Sequence, residues 1–395
     1  MKIIWGLYLL NTCFTLEQKM KRNHLVLTTI NYPSLLREYL NNLLSHGTSE
    51  TTKIWIVGDK KTPDLNELAS EISYSGLETV YLDIEKQDEW GKRFADFYNR
   101  IPYNNETRRN IGYLHALEEG CERLICIDDD NWSTTDDFIQ GHELTGQEWN
   151  QCLLTDKLGF FNICEYLEIE PSRSIFPRGY PFALRGTKNN PEEKLRNSPV
   201  TIGATSGLWL REPDIDAITW LNGKVESVAY NGPDVFVLSQ DTWSPINTQN
   251  TSVIRELIPA FLCIPMGWEV PGGKIQRYGD IWGGYFLQAV MKGTNYHVAF
   301  GRPIVDHRRN PHDYLDDLRQ EFWGMILTDW LTKLLRESFK PTDSDVCDRV
   351  DHLADFIMSE GINKLPNWCT NEVRSFIEYT AGNLRTWSQA CRQVR

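Results

Sequence analysis

The stretch Leu124-Ile125-Cys126-Ile127-Asp128-Asp129-Asp130 sets a short apolar run directly before three carboxylates. Such a run, bounded by polar residues, reads as a buried strand. Carboxylates at its end fall at the carboxyl edge of an open α/β sheet, where such folds bind ligands. Asp128 and Asp130 are two residues apart and share one side of an extended chain. Like charges this close repel unless a positive group holds them. A hard divalent cation, Mn²⁺ or Mg²⁺, suits carboxylate oxygens, and it can grip a diphosphate from its open side. A second reading makes Asn131-Trp132-Ser133-Thr134-Thr135-Asp136 the start of a helix, with the acidic residues as its cap. A calcium loop is a poor match, because the turn glycine and the closing glutamate are both missing.

Composition narrows the class. The chain has 395 residues, enough for one large domain and an extension. Its 54 acidic and 41 basic residues give a net charge of −13, which argues against a nucleic-acid-binding face but not against a nucleotide site with a few local arginines. The 14 tryptophans suit core packing or stacking on sugars and bases. Nine cysteines without a C-x-x-C pair read as reduced thiols in a cytoplasmic protein, with Cys126 and Cys164 in the core. The apolar segment Ile3–Leu10 is too short to span a bilayer. It resembles a signal-peptide core without a cleavage site, so residues 1–22 read as a leader or an upstream extension. Peripheral attachment to a membrane stays open.

Along the chain, strands are expected at Leu25–Ile30, Lys53–Asp59, Thr79–Leu82 and Leu124–Ile127. Helices are expected at Ser34–Leu44 and Thr107–Glu119. This alternation predicts an α/β fold with a mainly parallel mixed sheet. The segment from about 150 to 310 is rich in Gly, Pro and aromatics, with the long connections that carry acceptor sites. From Tyr314 onward, Leu315, Leu318, Phe322, Ile326, Trp330 and Leu334 recur at helical spacing, and further helices are expected at Val346–Met358 and Glu372–Gln389. This tail, 313–395, reads as a helical extension packed on the core or on a partner, which leaves homo-oligomerisation through it open.

Several segments combine in one order: Thr28-Thr29-Ile30-Asn31, Gly58-Asp59-Lys60-Lys61-Thr62-Pro63, Asn110-Ile111-Gly112-Tyr113-Leu114, the aspartates, Arg178-Gly179-Tyr180-Pro181-Phe182-Ala183-Leu184-Arg185, Gly207-Leu208-Trp209-Leu210, Arg277-Tyr278-Gly279-Asp280-Ile281-Trp282 and His307. Together they resemble the reversibly glycosylated polypeptide family, the plant UDP-arabinopyranose mutases. The Gly-Asp-Lys-Lys-Thr-Pro segment, the Asp-Asp-Asp-Asn run and Asn247-Thr248-Gln249-Asn250-Thr251 also resemble STELLO-type glycosyltransferases. The likeness spans about residues 24–312. It implies a GT-A nucleotide-diphospho-sugar transferase fold over 23–312, with 23–131 as the nucleotide-sugar half and 132–312 as the acceptor half.

The resemblance assigns roles residue by residue. Asp128 and Asp130 become the DXD pair that holds Mn²⁺ or Mg²⁺, with His307 as a further ligand. Thr28, Asn31, Asp59, Arg109, Asp128 and Asp129 become donor-binding residues. Arg178 matches the arginine linked to reversible glycosylation, and Arg185 matches a second functional arginine. Asp280 is the candidate base for an acceptor hydroxyl, with a helix cap as its alternative. The family pattern has an acidic residue where this chain has Gly279. The expected activity is metal-dependent transfer from a nucleotide-diphosphate sugar, UDP-linked by the resemblance, to a carbohydrate acceptor. One rival is a UDP-sugar pyranose/furanose mutase, and another is a catalytically silent partner subunit.

Overall fold

The computed structural model describes residues 22–196 and 198–395. The leader expected over 1–22 lies outside them apart from Arg22. The first half alternates as its periodicity requires: β1 (Asn23–Thr28), α1 (Leu36–Ser45), β2 (Thr52–Val57), α2 (Asn66–Tyr74), β3 (Glu78–Leu82), α3 (Arg109–Glu118) and β4 (Arg123–Ile127). Every residue of β2 and β4 is buried, as expected of strands covered on both faces. Helix α3 closes on the sheet at Gly112, where a side chain would strike Val26 and Val57.

The second half adds β5 (Asn131–Ser133), β6 (Val200–Arg211), β7 (Val235–Val237), β8 (Asn250–Ile254), α4 (Gly279–Met291) and β9 (Tyr296–His307). The strand order is β7-β9-β6-β8-β4-β1-β2-β3. The pairs β3-β2, β2-β1, β1-β4 and β6-β9 are parallel. Strand β8 runs antiparallel between β4 and β6, and β7 runs antiparallel to β9. The α/β architecture is therefore as expected, with a mixed sheet that is parallel through its first half.

The second reading of the segment after the aspartates does not hold. Asn131–Ser133 does not begin a helix. It forms β5 and pairs antiparallel with β9, in a register that sets Asn131 opposite His307. The backbone N–H of Arg308 also donates to the carbonyl of Asp130 at 2.8 Å. Ladder partners supplied by β9 win over local capping, because a buried backbone group must find a partner.

The tail forms α5 (Tyr314–Glu337), α6 (Val346–Phe356) and α7 (Asn371–Val394). Helices α5 and α7 begin at side-chain caps, Asp313 and Thr370. Helix α7 turns Val373, Phe376, Ile377, Leu384 and Trp387 inward, and Trp387 Nε1 donates to the Pro259 carbonyl at 2.8 Å. One continuous apolar cluster joins the sheet to this tail. Helix α5 departs from the expected packing. Leu315 and Phe322 of its apolar series are exposed, while Asp317, Glu321 and Thr328 are buried. Polar partners inside the chain draw that second stripe inward. No described helix is long and apolar enough to cross a membrane.

Candidate functional site

At the end of β4 the three aspartates separate as an extended chain requires. Asp128 and Asp130 line a cavity of about 220 Å³. Asp129 turns away and accepts from Thr29 Oγ1 at 2.5 Å and from Asn31 Nδ2 at 3.1 Å. Asp128 Oδ1 accepts from Arg109 at 2.6 Å, and Arg109 also donates to the carbonyls of Thr248 and Glu106. Arg109 is therefore the buried counter-ion of Asp128. Burial raises the pKa of Asp128 and Asp130 adds to the rise, while Arg109 opposes it.

His307 comes to Asp130 through the β5–β9 register. Its Nε2 lies 3.3 Å from Asp130 Oδ2, and its Nδ1 lies 2.6 Å from the carbonyl oxygen of Glu212. A carbonyl only accepts, so Nδ1 carries the hydrogen and Nε2 faces the carboxylate. Burial would lower the pKa of this imidazole, but Asp130 outweighs it and the net shift is upward. The reciprocal effect holds Asp130 below its ordinary value despite burial. Among the described residues, no group of three or more His, Cys, Asp or Glu side chains is already gathered to hold a metal ion.

Across the cavity stand Arg178 and Asp280. Arg178 donates to both oxygens of Asp214 at 2.9 and 3.1 Å, to Asp280 Oδ2 at 3.3 Å, and to the carbonyl of Arg277. Burial would lower its pKa, but Asp214 and Asp280 raise it on balance. For Asp214, burial is outweighed by Arg178 and by hydrogen bonds that include Asn247, and its pKa falls to about 2. Asp280 lies in the first turn of α4, whose N-cap residue is Tyr278, with no side-chain capping bond. Its carboxylate faces Arg178, so the capping alternative does not hold.

The cavity gathers Asp128, Asp130, His307, Arg109, Arg178 and Asp280. It does not gather the other expected residues. Thr28 Oγ1 donates to the Val57 carbonyl at 3.0 Å. Asp59 accepts from the backbone N–H groups of Lys60 and Asn105 at 2.7 and 3.1 Å. With Asn31 and Asp129 they form a separate polar rim at the ends of β1 and β2. Arg185 pairs with Asp216 at 2.6 Å, lies 3.7 Å from the Phe182 ring centre and lines a different cleft of about 1310 Å³.

Several residues of the site escaped the sequence reading. Asp214, between Pro213 and Ile215, carries no local signal. Arg277 is held at φ 63°, a backbone conformation uncommon outside glycine, and pairs with Glu321 at 3.0 Å and Asp317 at 3.3 Å. Both carboxylates belong to α5, and Gln320 of the same helix lines the cavity. Their spacing, Asp317, Glu321 and Thr328, is a polar stripe at helical period and was the available signal. Six tryptophans, Trp55, Trp209, Trp220, Trp243, Trp282 and Trp387, are buried in the core, whereas Trp368 is exposed. Cys126 and Cys164 are buried free thiols, as expected.

Comparison with known proteins gives concordant relatives. A probable UDP-arabinopyranose mutase 1 from Pisum sativum is 29% identical over 230 residues, covering 57% of each chain. UDP-arabinopyranose mutase 1 from Arabidopsis thaliana is 27% identical over 229 residues, 57% of this chain and 58% of the relative. The chain thus aligns with less than two thirds of the length of these mutases. The probable glycosyltransferase STELLO2 from Arabidopsis thaliana is 23% identical over 338 residues, 75% of this chain and 40% of the relative. Among solved structures, glucosyl-3-phosphoglycerate synthase from Mycobacterium tuberculosis with Mn²⁺ and UDP-glucose overlaps at a TM-score of 0.35 and 11% identity, covering 78% of this chain and 79% of that one. The family model described as reversibly glycosylated polypeptide matches residues 75–356, beyond the expected limit near 312 and into the helical tail. The chain belongs to the reversibly glycosylated polypeptide family.

Proposed function

We propose that the chain is a metal-dependent enzyme that transfers a glycosyl group from a nucleotide-diphosphate sugar, UDP-linked as in its relatives, to an acceptor hydroxyl. The observation that carries this reading is the shared cavity, with Asp128, Asp130 and His307 at one wall and Arg178 and Asp280 at another.

The donor set fits a hard divalent cation. Asp128 and Asp130 supply oxygens, and His307 presents Nε2 because Nδ1 is tied to the Glu212 carbonyl. Asp130 and His307 would hold Mn²⁺ or Mg²⁺, with Asp128 beside them under the control of Arg109. Such a cation neutralises charge on a departing diphosphate. Asp280 takes the proton of the acceptor hydroxyl. The acceptor oxygen bonds to the anomeric carbon, and the bond from that carbon to the diphosphate breaks, its electron pair leaving with the nucleoside diphosphate. Arg178 orients Asp280 through the contact at 3.3 Å. The rim of Thr28, Asn31, Asp59 and Asp129 lies where the base and ribose would sit, at the ends of the first strands.

The relatives named as mutases support a second reading, exchange of pyranose and furanose forms within one UDP-sugar. Arg178 favours transfer, because its nitrogens are engaged by Asp214, Asp280 and the Arg277 carbonyl. The two acidic and histidine ligands in one cavity speak against a silent partner. Incubation of the full chain with Mn²⁺ and a UDP-pentose alone separates the readings. We expect slow hydrolysis, no ring-form exchange and no sugar adduct on Arg178 by intact mass. An adduct that forms with donor and disappears with free UDP would promote the mutase.

A further inference from the structure

Glu106, in the turn before α3, lines the same cavity as Asp280. Among the described residues its side chain forms no ion pair, although arginines surround it. The charged groups facing it are Arg109 from its own segment and Asp280 and Arg277 from the segment opposite. The buried thiol of Cys263 lies within range of both carboxyls, and Asp128 and Arg178 complete the walls. A second feature concerns Gly279. A side chain there would put its Cβ 2.4 Å from the carbonyl oxygen of Ile264, and Ile264 N–H already donates to the Gly279 carbonyl at 3.0 Å. Position 279 therefore has no room for a second carboxyl beside Asp280, and a partner carboxyl has to come from another segment.

We propose that Glu106 is the second carboxyl of the reaction cavity, a sugar-contacting residue that works as a pair with Asp280. This rests on the nucleotide-sugar reading above. The two carboxyls have different surroundings and so different roles. Asp280 is held by Arg178 at 3.3 Å. Glu106 has no such clamp. Burial raises its pKa, its own backbone hydrogen bond opposes the rise, Asp280 adds to it, and Arg109 and Arg277 oppose it. Glu106 thus stays protonated into a higher pH range than an ordinary glutamate and donates a hydrogen bond to a hydroxyl of the bound sugar.

The test compares UDP with UDP-glucose and UDP-arabinopyranose by calorimetry, in Mn²⁺, on wild type, Glu106→Ala and Glu106→Gln. The expected result is equal affinity for UDP in all three. Glu106→Ala should lose about tenfold in affinity for a UDP-sugar relative to UDP, the worth of roughly one hydrogen bond. Glu106→Gln keeps a donor and should retain that increment. It should also hold it toward alkaline pH, where wild type loses it as Glu106 ionises. The same UDP-sugar to UDP ratio in all three proteins overturns the inference. Failure of wild type to bind UDP would count against the functional reading instead, and thermal stability then tests Glu106 separately. A raised folded pKa contributes stability below the ordinary glutamate range that is lost as pH rises through the folded value. Wild type should therefore fall relative to Glu106→Gln as pH rises, and parallel curves overturn the inference.

Discussion

Asp130 Oδ2 and His307 Nε2 stand 3.3 Å apart, brought together because β5 pairs with β9 in the register that sets Asn131 against His307. If this pair holds the cation, Asp130→Ala and His307→Gln should each abolish Mn²⁺-dependent donor binding. Stability of Asp130→Ala without metal should change little, because the loss of the contacts with His307 and Asn131 is offset by relief of repulsion with Asp128. Calorimetric titration with UDP and Mn²⁺ measures the first, and thermal denaturation the second. Normal turnover by Asp130→Ala in excess chelator would remove the metal from the account.

Asp280 makes no helix-capping bond, so its replacement should affect chemistry more than folding. Asp280→Asn is expected to lower kcat by about 10²–10⁴ with donor affinity nearly unchanged. Collapse of donor affinity together with the circular dichroism spectrum would assign Asp280 a structural role.

The Arg178–Asp214 pair makes a prediction in pH. Asp214 is shifted from 3.8 to about 2, burial being outweighed by Arg178. A depressed folded pKa gives stability that is present above the unfolded value and is lost as pH falls through the folded one. The shift corresponds to about 2 kcal/mol. Asp214→Asn should therefore be less stable than wild type by at least that amount above about pH 4, and the gap should close as pH approaches 2. Chemical denaturation at stepped pH reads the difference, and a gap independent of pH would contradict the assignment.

Glu321 tests whether the tail belongs to the site. It is buried, pairs with Arg277 at 3.0 Å and accepts from the Ala217 backbone N–H at 2.8 Å. Glu321→Ala leaves Arg277 with Asp317 alone and frees the segment whose carbonyl holds Arg178. The expected cost is about 3 kcal/mol, typical of breaking a buried pair, accompanied by a lower kcat. A variant with wild-type stability and turnover would make α5 a passive cover.

The first half of the fold was legible because its strands are short apolar runs and its helices carry the complementary period. The site was legible where a motif and strand geometry act together, as in the Asp128 and Asp130 alternation. Arg178 and Asp280 were found through the family pattern, but their mutual contact depends on Asp214 and Arg277, which sit in loops without periodicity. The α5 face was misjudged for a physical reason. Apolar spacing pointed to Leu315 and Phe322, whereas Asp317 and Glu321 turn inward to ion pairs with Arg277. The alternative of a helix start at Asn131 fails because its backbone partners come from β9, distant in sequence.

If Asp128, Asp130 and His307 form a cation-dependent nucleotide-diphosphate site, UDP should stabilise the chain only when the cation is present. The most direct measurement is thermal stability of the full chain with UDP, with and without Mn²⁺, beside Asp130→Ala. At a free UDP concentration of a hundred times its dissociation constant, wild type with Mn²⁺ should gain roughly 2.7 kcal/mol, while wild type in chelator and Asp130→Ala in Mn²⁺ should gain almost nothing. Equal stabilisation by UDP in all three conditions would show that Asp130 and the cation play no part in nucleotide binding.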